Sequence, residues 1–168
     1  MERRYRHLDT PTGPMALIRE PSGDIGLEWL DEPGTVIDGR EDPDLEPTII
    51  DALTRYFAGE PVDFSFVPTP AGPPFYRSCW TALRDVPAGE TVSYAELAVR
   101  AGSPKAIRAA GQAMRKNPLP VIVPCHRVIA SDGTLHGFGG WRDPDSAALG
   151  RKARLRALEG RVELSSIG

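Results

Sequence analysis

The chain has 168 residues, enough for one domain or two small ones. Hydrophobic residues make up 40% and charged residues 26%, a balance that excludes a disordered or fibrous chain and fits an ordinary globular one. No run of about 18 apolar residues is present to span a bilayer, and Met1-Glu2-Arg3-Arg4-Tyr5 lacks the apolar stretch of a secretory signal, so no membrane association and a cytoplasmic location are expected.

Two cysteines form no disulfide framework in a chain of this size, which suits a reducing compartment. They and the three scattered histidines, His7, His126 and His136, show no metal-ligand spacing. Neither a metal nor a cofactor is expected. The net charge of −3 conceals an asymmetry. Residues 1–70 hold 15 acidic and 6 basic side chains, and the remainder hold 8 acidic and 14 basic. Residues 97–131 contain Arg100, Lys105, Arg108, Arg115, Lys116 and Arg127 and no acid at all. A local field of one sign is what a polyanionic partner needs, although a solvated basic face has the same composition.

In chain order, the first 30 residues read as strands. Thr10-Pro11-Thr12-Gly13-Pro14 breaks the chain between an extended start and Met15-Ala16-Leu17-Ile18, and Pro21 to Asp24 leads into Ile25 to Leu30. The acidic stretch from Asp31 to Glu46 predicts a loop. Ile49, Ile50, Leu53, Tyr56 and Phe57 recur at helical spacing, with Gly59 placed to cap the end. Pro68-Thr69-Pro70-Ala71-Gly72-Pro73-Pro74 is a linker, which divides the chain into an N-terminal domain over 1–70 and a C-terminal domain over 71–168.

Beyond the linker, Phe75, Cys79, Trp80 and Leu83 share one helical face, which makes Cys79 a core residue. Ser93-Tyr94-Ala95-Glu96 is a capping-box pattern opening a short helix to about Arg100. Ser103 then predicts an N-cap, with Pro104 at the first position of a helix running to about Lys116. Two short helices joined by a Gly-containing turn form a helix-turn-helix pattern, although a plain helical hairpin is the commoner outcome. The second helix joins basic residues to Ala109, Ala110 and Gly111, whose small size permits close approach to a nucleic acid.

The most informative segment is Val123-Pro124-Cys125-His126-Arg127-Val128. A cysteine attacks only as thiolate, and an adjacent imidazolium or guanidinium is a common way to lower its pKa. Neighbouring side chains on a strand point to opposite faces, so cooperation between Cys125 and His126 requires a turn, which Pro124 favours. Taken alone, the pair is equally compatible with a buried structural cysteine beside a core histidine.

Together these residues resemble the O6-alkylguanine-DNA alkyltransferases, also called methylated-DNA–protein-cysteine methyltransferases. The similarity runs in order through Pro87 to Tyr94, Arg108-Ala109-Ala110-Gly111, Asn117-Pro118, Pro124 to Val128, Gly133 to Gly140 and Leu158-Glu159-Gly160. Before the linker it is carried only by Thr10 to Pro14. The resemblance implies a small ribonuclease-H-like α/β domain, a sheet plus a helix, followed by a mainly α domain with a winged-helix-like helix-turn-helix. It implies direct, irreversible transfer of the alkyl group from O6-alkylguanine, with O4-alkylthymine left open, to Cys125 after the nucleotide is flipped from the duplex. Each molecule would be consumed by one lesion.

By the same resemblance, His126 is the base that acts through a water, Glu159 orients His126, Tyr94 donates to the guanine ring and Asn117 braces the cysteine turn. Arg108 would fill the hole left by the flipped base in the minor groove, with Ser93, Lys105, Ala109, Ala110, Gly111, Arg115 and Arg127 also at the DNA. Tyr94, Val128, Phe138, Gly139 and Trp141 would line the pocket. Phe138 stands where the family commonly has tyrosine. The 18 residues between Gly140 and Glu159 predict an inserted loop over 141–148 before a helix from about Ser146 to Leu158. The partner is double-stranded DNA, bound by a monomer, with cooperative arrays left open. The alternative is a non-catalytic alkyltransferase-like lesion-binding protein, against which Cys125 argues.

Overall fold

The computed structural model describes residues 2–130 and 147–167, with the side chains of the last helix covered from Leu149 to Gly160. Four strands, β1 (Arg4–Thr10), β2 (Gly13–Arg19), β3 (Ile25–Trp29) and β4 (Arg40–Glu41), form one sheet in the order β3-β2-β1-β4. β1 and β2 are antiparallel and join at Pro11-Thr12. Thr10 Oγ1 donates to Gly13 O at 2.6 Å and accepts from Thr12 N at 3.1 Å. Gly13 sits at φ +129, a conformation that side chains rarely adopt.

The unbroken apolar run Met15 to Ile18 marks a strand covered on both faces. Met15 and Leu17 enter the main core, while Ala16 and Ile18 pack with Tyr5, Leu30 and Ile37. The expected loop over 31–46 contains one short exception, since Arg40–Glu41 adds a parallel edge strand beside Arg4 and Tyr5. Helix α1 (Pro47–Phe57) buries Ile49, Ile50, Leu53, Tyr56 and Phe57. It closes with Gly59 N donating to Tyr56 O at 3.0 Å and Glu60 N to Arg55 O at 3.1 Å. That paired closure is the one a glycine after the helix permits.

The C-terminal part is mainly helical. Helix α2 (Pro74–Leu83) buries Cys79, Trp80 and Leu83, and Trp80 Nε1 donates to Ala113 O at 2.9 Å. Helix α3 (Tyr94–Arg100) is capped by Ser93, whose hydroxyl accepts from Glu96 N. Helix α4 (Ile107–Arg115) starts three residues later than the expected Pro104. Ala106 N donates to Ser103 O at 2.9 Å, so Pro104 and Lys105 complete a turn instead of a first helical turn. A single 3-10 turn, Cys125–Arg127, follows.

Strand β6 (Val128–Ile129) then pairs in parallel with β5 (Val92–Ser93). Helix α5 (Ala147–Ile167) does not stop near Leu158 but continues through Glu159 and Gly160. One interior glycine costs a helix only about 1 kcal/mol. The buried stripe Leu149, Lys152, Leu155 and Glu159 holds α5 against the rest of the molecule.

The two parts share one core. Met15, Leu17 and Leu27 belong to the same buried cluster as Trp80, Leu97, Val123 and Leu155. Leu27 N donates to Pro118 O at 2.9 Å, so a loop of the C-terminal part satisfies the open edge of β3. This joint leads directly into the cysteine segment.

Candidate active site

Asn117 organises the approach to Cys125. Its Nδ2 donates to Val123 O at 2.8 Å, and its Oδ1 accepts from Leu119 N at 2.9 Å. The loop so clamped contains Val121 at φ +75, a strained setting for a β-branched residue, with its side chain buried. Pro124 then adopts φ −81 and ψ 67, and Cys125 N donates to Val123 O at 2.8 Å. That is an inverse γ-turn, which the proline ring presets. Arg127 N donates to Pro124 O at 2.9 Å, closing the 3-10 turn that sets Cys125 and His126 on one buried bend.

Burial pushes the Cys125 thiol above its ordinary pKa, against opposing contributions from an Asn117 hydrogen bond and the Lys152 charge. Arg127 is committed elsewhere: its Nε donates to Glu159 Oε1 and its Nη2 to Glu159 Oε2, both at 2.9 Å, and Nη1 donates to Val86 O at 2.6 Å. Its side chain is only 12% exposed, which leaves little of the guanidinium for a further partner.

His126 is fully buried, and its Nε2 lies 2.6 Å from Glu159 Oε2. A carboxylate only accepts, so Nε2 carries a proton, and in the neutral ring Nδ1 keeps its lone pair. Nδ1 has no hydrogen-bond partner among the described residues. Burial lowers the His126 pKa, opposed by Glu159. Burial pushes the Glu159 carboxyl up, yet the hydrogen bonds and charges of His126 and Arg127 together hold it well below the usual range. A third donor, Tyr56 of α1, reaches Glu159 Oε2 at 2.6 Å.

The β5–β6 pairing aligns Ser93 with Ile129, which brings Tyr94 at the start of α3 close to the cysteine segment. Burial and the proximity of Cys125 push the Tyr94 phenol up to about 12. Lys152 is fully buried on α5, with Nζ 6.0 Å from the Tyr94 ring centroid. Burial lowers its pKa to about 8, against the pull of Cys125. The structure thus brings together Cys125, His126, Glu159, Tyr94 and Asn117, and places Val128 fully buried on β6 beside them.

The expected DNA residues divide. Lys105, Arg108 and Arg115 are exposed along α4 and its preceding turn, and Ala109 and Gly111 are half-buried. Ala110 is corrected: it is wholly buried in the core, because it lies on the α4 face that carries Ala113 and Met114. Gly111 sits beside the Tyr94 ring. Ser93 spends its hydroxyl as an acceptor in the α3 cap. Phe138, Gly139, Trp141 and the expected insertion over 141–148 lie outside the described residues.

Two residues were missed in the sequence, Tyr56 and Lys152. Lys152 precedes Glu159 by seven residues, two helical turns on one face, and that spacing was the available signal. Tyr56 carries a buried hydroxyl, and a tyrosine on an apolar stripe usually has a partner for it.

The fold and site together define a two-domain protein, a small sheet domain followed by a helical one, with a buried thiol beside a His–Glu pair and an exposed basic helix nearby. Residues 3–71 match the model for "6-O-methylguanine DNA methyltransferase, ribonuclease-like domain", and residues 74–161 match "6-O-methylguanine DNA methyltransferase, DNA binding domain". The constitutive methylated-DNA–protein-cysteine methyltransferase of Bacillus subtilis is 40% identical over 152 residues, covering 86% of this chain and 92% of that protein. The protein of the same name from Mycobacterium tuberculosis is 39% identical over 158 residues, covering 92% and 91%. A crystal structure of the Mycobacterium tuberculosis O6-methylguanine methyltransferase superposes with a TM-score of 0.80 at 35% identity, covering 99% of both chains. A structure of the tuberculosis protein in complex with DNA gives 0.79 at 36% identity, covering 95% and 94%. The chain belongs to the 6-O-methylguanine DNA methyltransferase family.

Proposed function

We propose that this protein repairs double-stranded DNA by moving the alkyl group of O6-alkylguanine onto Cys125, once per molecule. The observation that carries this reading is the buried Cys125 turn, with the His126–Glu159 pair on the same bend and Tyr94 beside it. At rest the raised thiol pKa keeps Cys125 protonated and unreactive. When the flipped nucleotide arrives, His126 Nδ1 takes the thiol proton through a bridging water. The sulfur attacks the alkyl carbon and the carbon–O6 bond breaks. Tyr94 donates its proton to the ring so that guanine leaves neutral, and the proton held by His126 restores the balance. Glu159 stabilises the imidazolium that forms, the role of the acid in a nucleophile–base–acid triad. Asn117 holds the turn. A thioether has no hydrolytic exit, so the protein is spent.

Helices α3 and α4 with their connecting turn serve as the helix-turn-helix, and the β5–β6 pair as a minimal wing. Arg108 enters the minor groove in place of the flipped base, while Lys105 and Arg115 hold phosphates. Val128 walls the pocket. The N-terminal sheet and α1 are the ribonuclease-H-like part, with the division near residue 70 supported by family matches that end at 71 and resume at 74. Both cysteines are free, which fits work on DNA in a reducing compartment.

The test is intact mass and peptide mapping after incubation with a duplex holding one O6-methylguanine. One added methyl group on the Cys125 peptide is expected, and none in Cys125→Ser, which still binds the duplex within a few-fold of wild type. Methyl found on Cys79 would remove Cys125 from its role. Binding without transfer by the wild-type protein would favour the lesion-binding alternative.

A further inference from the structure

One oxygen of the Glu159 carboxylate is crowded with donors. Oε2 accepts from Tyr56 Oη at 2.6 Å, from His126 Nε2 at 2.6 Å and from Arg127 Nη2 at 2.9 Å, and Oε1 accepts from Arg127 Nε at 2.9 Å. Oε2 thus takes three donors, one more than its two in-plane lone pairs, and Arg127 alone already fixes the carboxylate bidentately. The Tyr56 bond differs from the others in origin. It comes from the N-terminal domain, 103 residues away in sequence, and it competes with His126 for the same oxygen. Burial beside Glu159 pushes the Tyr56 phenol far above its ordinary range, so it stays a donor at every working pH.

We propose that Tyr56 is a positioning residue for alkyl transfer, through which the N-terminal domain sets both the orientation of Glu159 and the basicity of His126. This role rests on His126 acting as the base for Cys125. Each donor on Oε2 draws negative charge away from the His126 Nε2–H bond, and a less negative partner makes a weaker imidazole base. The hydroxyl therefore keeps His126 neutral, with a lone pair on Nδ1, in a pH range where a simple His–Glu pair would hold it protonated. Among the described residues, the charged and titratable groups around this pair are Cys125 and Arg127 on its own turn, Lys152 from α5, Tyr94 from α3 and Tyr56 from α1. Glu60, Asp63, Arg84 and Asp85 line the adjoining cavity, together with Tyr56, Arg127 and Glu159.

The experiment is the pH dependence of the single-turnover transfer rate at saturating O6-methylguanine duplex, measured for wild type and Tyr56→Phe. Wild type shows an acid limb below pH 6.5, because the His126 pKa lies below that ordinary value. In Tyr56→Phe the carboxylate regains charge, the His126 pKa rises, and the limb moves upward by about half a pH unit or more. The rate at pH 6 then falls a few-fold, while duplex affinity stays unchanged. A second variant keeps the ring and strengthens the donor: 3-fluorotyrosine placed at position 56 moves the limb the opposite way. A hydroxyl of merely structural value would lower thermal stability and leave both limbs where they were. That result, or shifts of the same sign in both variants, overturns the proposal. If Tyr56→Phe fails to fold, the fluorotyrosine variant decides alone. A wild-type protein that transfers nothing overturns the functional reading itself, a separate outcome from unmoved limbs in an active protein.

Discussion

At the scale of single residues, the charge that acts on the nucleophile comes from outside the motif. Arg127 follows Cys125 by two positions, yet its guanidinium turns away to Glu159 and the Val86 carbonyl. Lys152, 27 positions on by number, supplies the positive field that opposes the thiol's desolvation. Lys152→Met keeps the buried volume and removes the charge, so the Cys125 pKa rises further. Below pH 8 the rate of iodoacetamide reaction with Cys125 is expected to fall about tenfold, the thiolate lost for a shift of about one pKa unit. The sign and window follow from Lys152 itself. Its pKa is lowered to about 8, so its charge acts fully at lower pH and fades above that value. The gap between wild type and variant is widest below pH 8 and closes above it. A constant gap to high pH would remove Lys152 from the field at the thiol. Cys125, His126 and Glu159 were legible because they lie in short, ordered motifs. Lys152 was not, because a lysine among the many charges of α5 reads as solvent-facing until the burial of its helical stripe is known.

At the scale of elements, a tight connection carries more of the site than any helix does. The loop from Asn117 to Pro124 keeps Val121 in a left-handed conformation and hands Cys125 to an inverse γ-turn. One side chain bridges it: Asn117 serves both Leu119 N and Val123 O. Asn117→Ala leaves both backbone groups without that partner, and each such buried group costs about 1–3 kcal/mol. A loss of about 2–4 kcal/mol in urea unfolding is expected, with a slower iodoacetamide reaction at Cys125, since the thiol also loses its Asn117 hydrogen bond. Equal stability with normal reactivity would show that the proline turn holds by itself. Asn117-Pro118 and Pro124 were visible in the sequence as turn residues. Val121 was not, since nothing local asks a valine for positive φ; only the surrounding packing imposes it. The late start of α4 has a similar cause, because Ser103 spends its carbonyl on a turn rather than its hydroxyl on a cap.

At the scale of the molecule, the charge asymmetry finds a physical place. Arg100, Lys105, Arg108, Arg115 and Lys116 are all exposed on α3, on α4 and its C-cap, and on the turn between the two helices. Arg100 is paired with Glu96 at 2.9 Å, whereas the other four have no acidic partner within 4.0 Å among the described residues. The sequence count included Arg127 in this field, and the structure removes it. What the count could not reveal is how the acidic N-terminal half joins the site, because the Tyr56–Glu159 and Leu27–Pro118 bonds cross the linker and carry no local pattern. The corrected census makes a three-way prediction for binding and transfer. Lys105→Ala should weaken methylated and unmodified duplex alike, and reduce the slope of log affinity against log salt by about one phosphate contact. Arg108→Ala should slow transfer from duplex far more than transfer from the free base O6-benzylguanine, because a side chain that replaces a flipped base matters only where there is a base to flip. Arg127→Ala should leave the salt slope unchanged but lower transfer from both substrates, since it strips Glu159 of its bidentate partner. Fluorescence anisotropy over a salt series, with single-turnover rates on both substrates, separates the three. A reduced salt slope in Arg127→Ala would return that residue to the DNA surface, and equal losses on both substrates in Arg108→Ala would place Arg108 in the pocket wall instead of the groove.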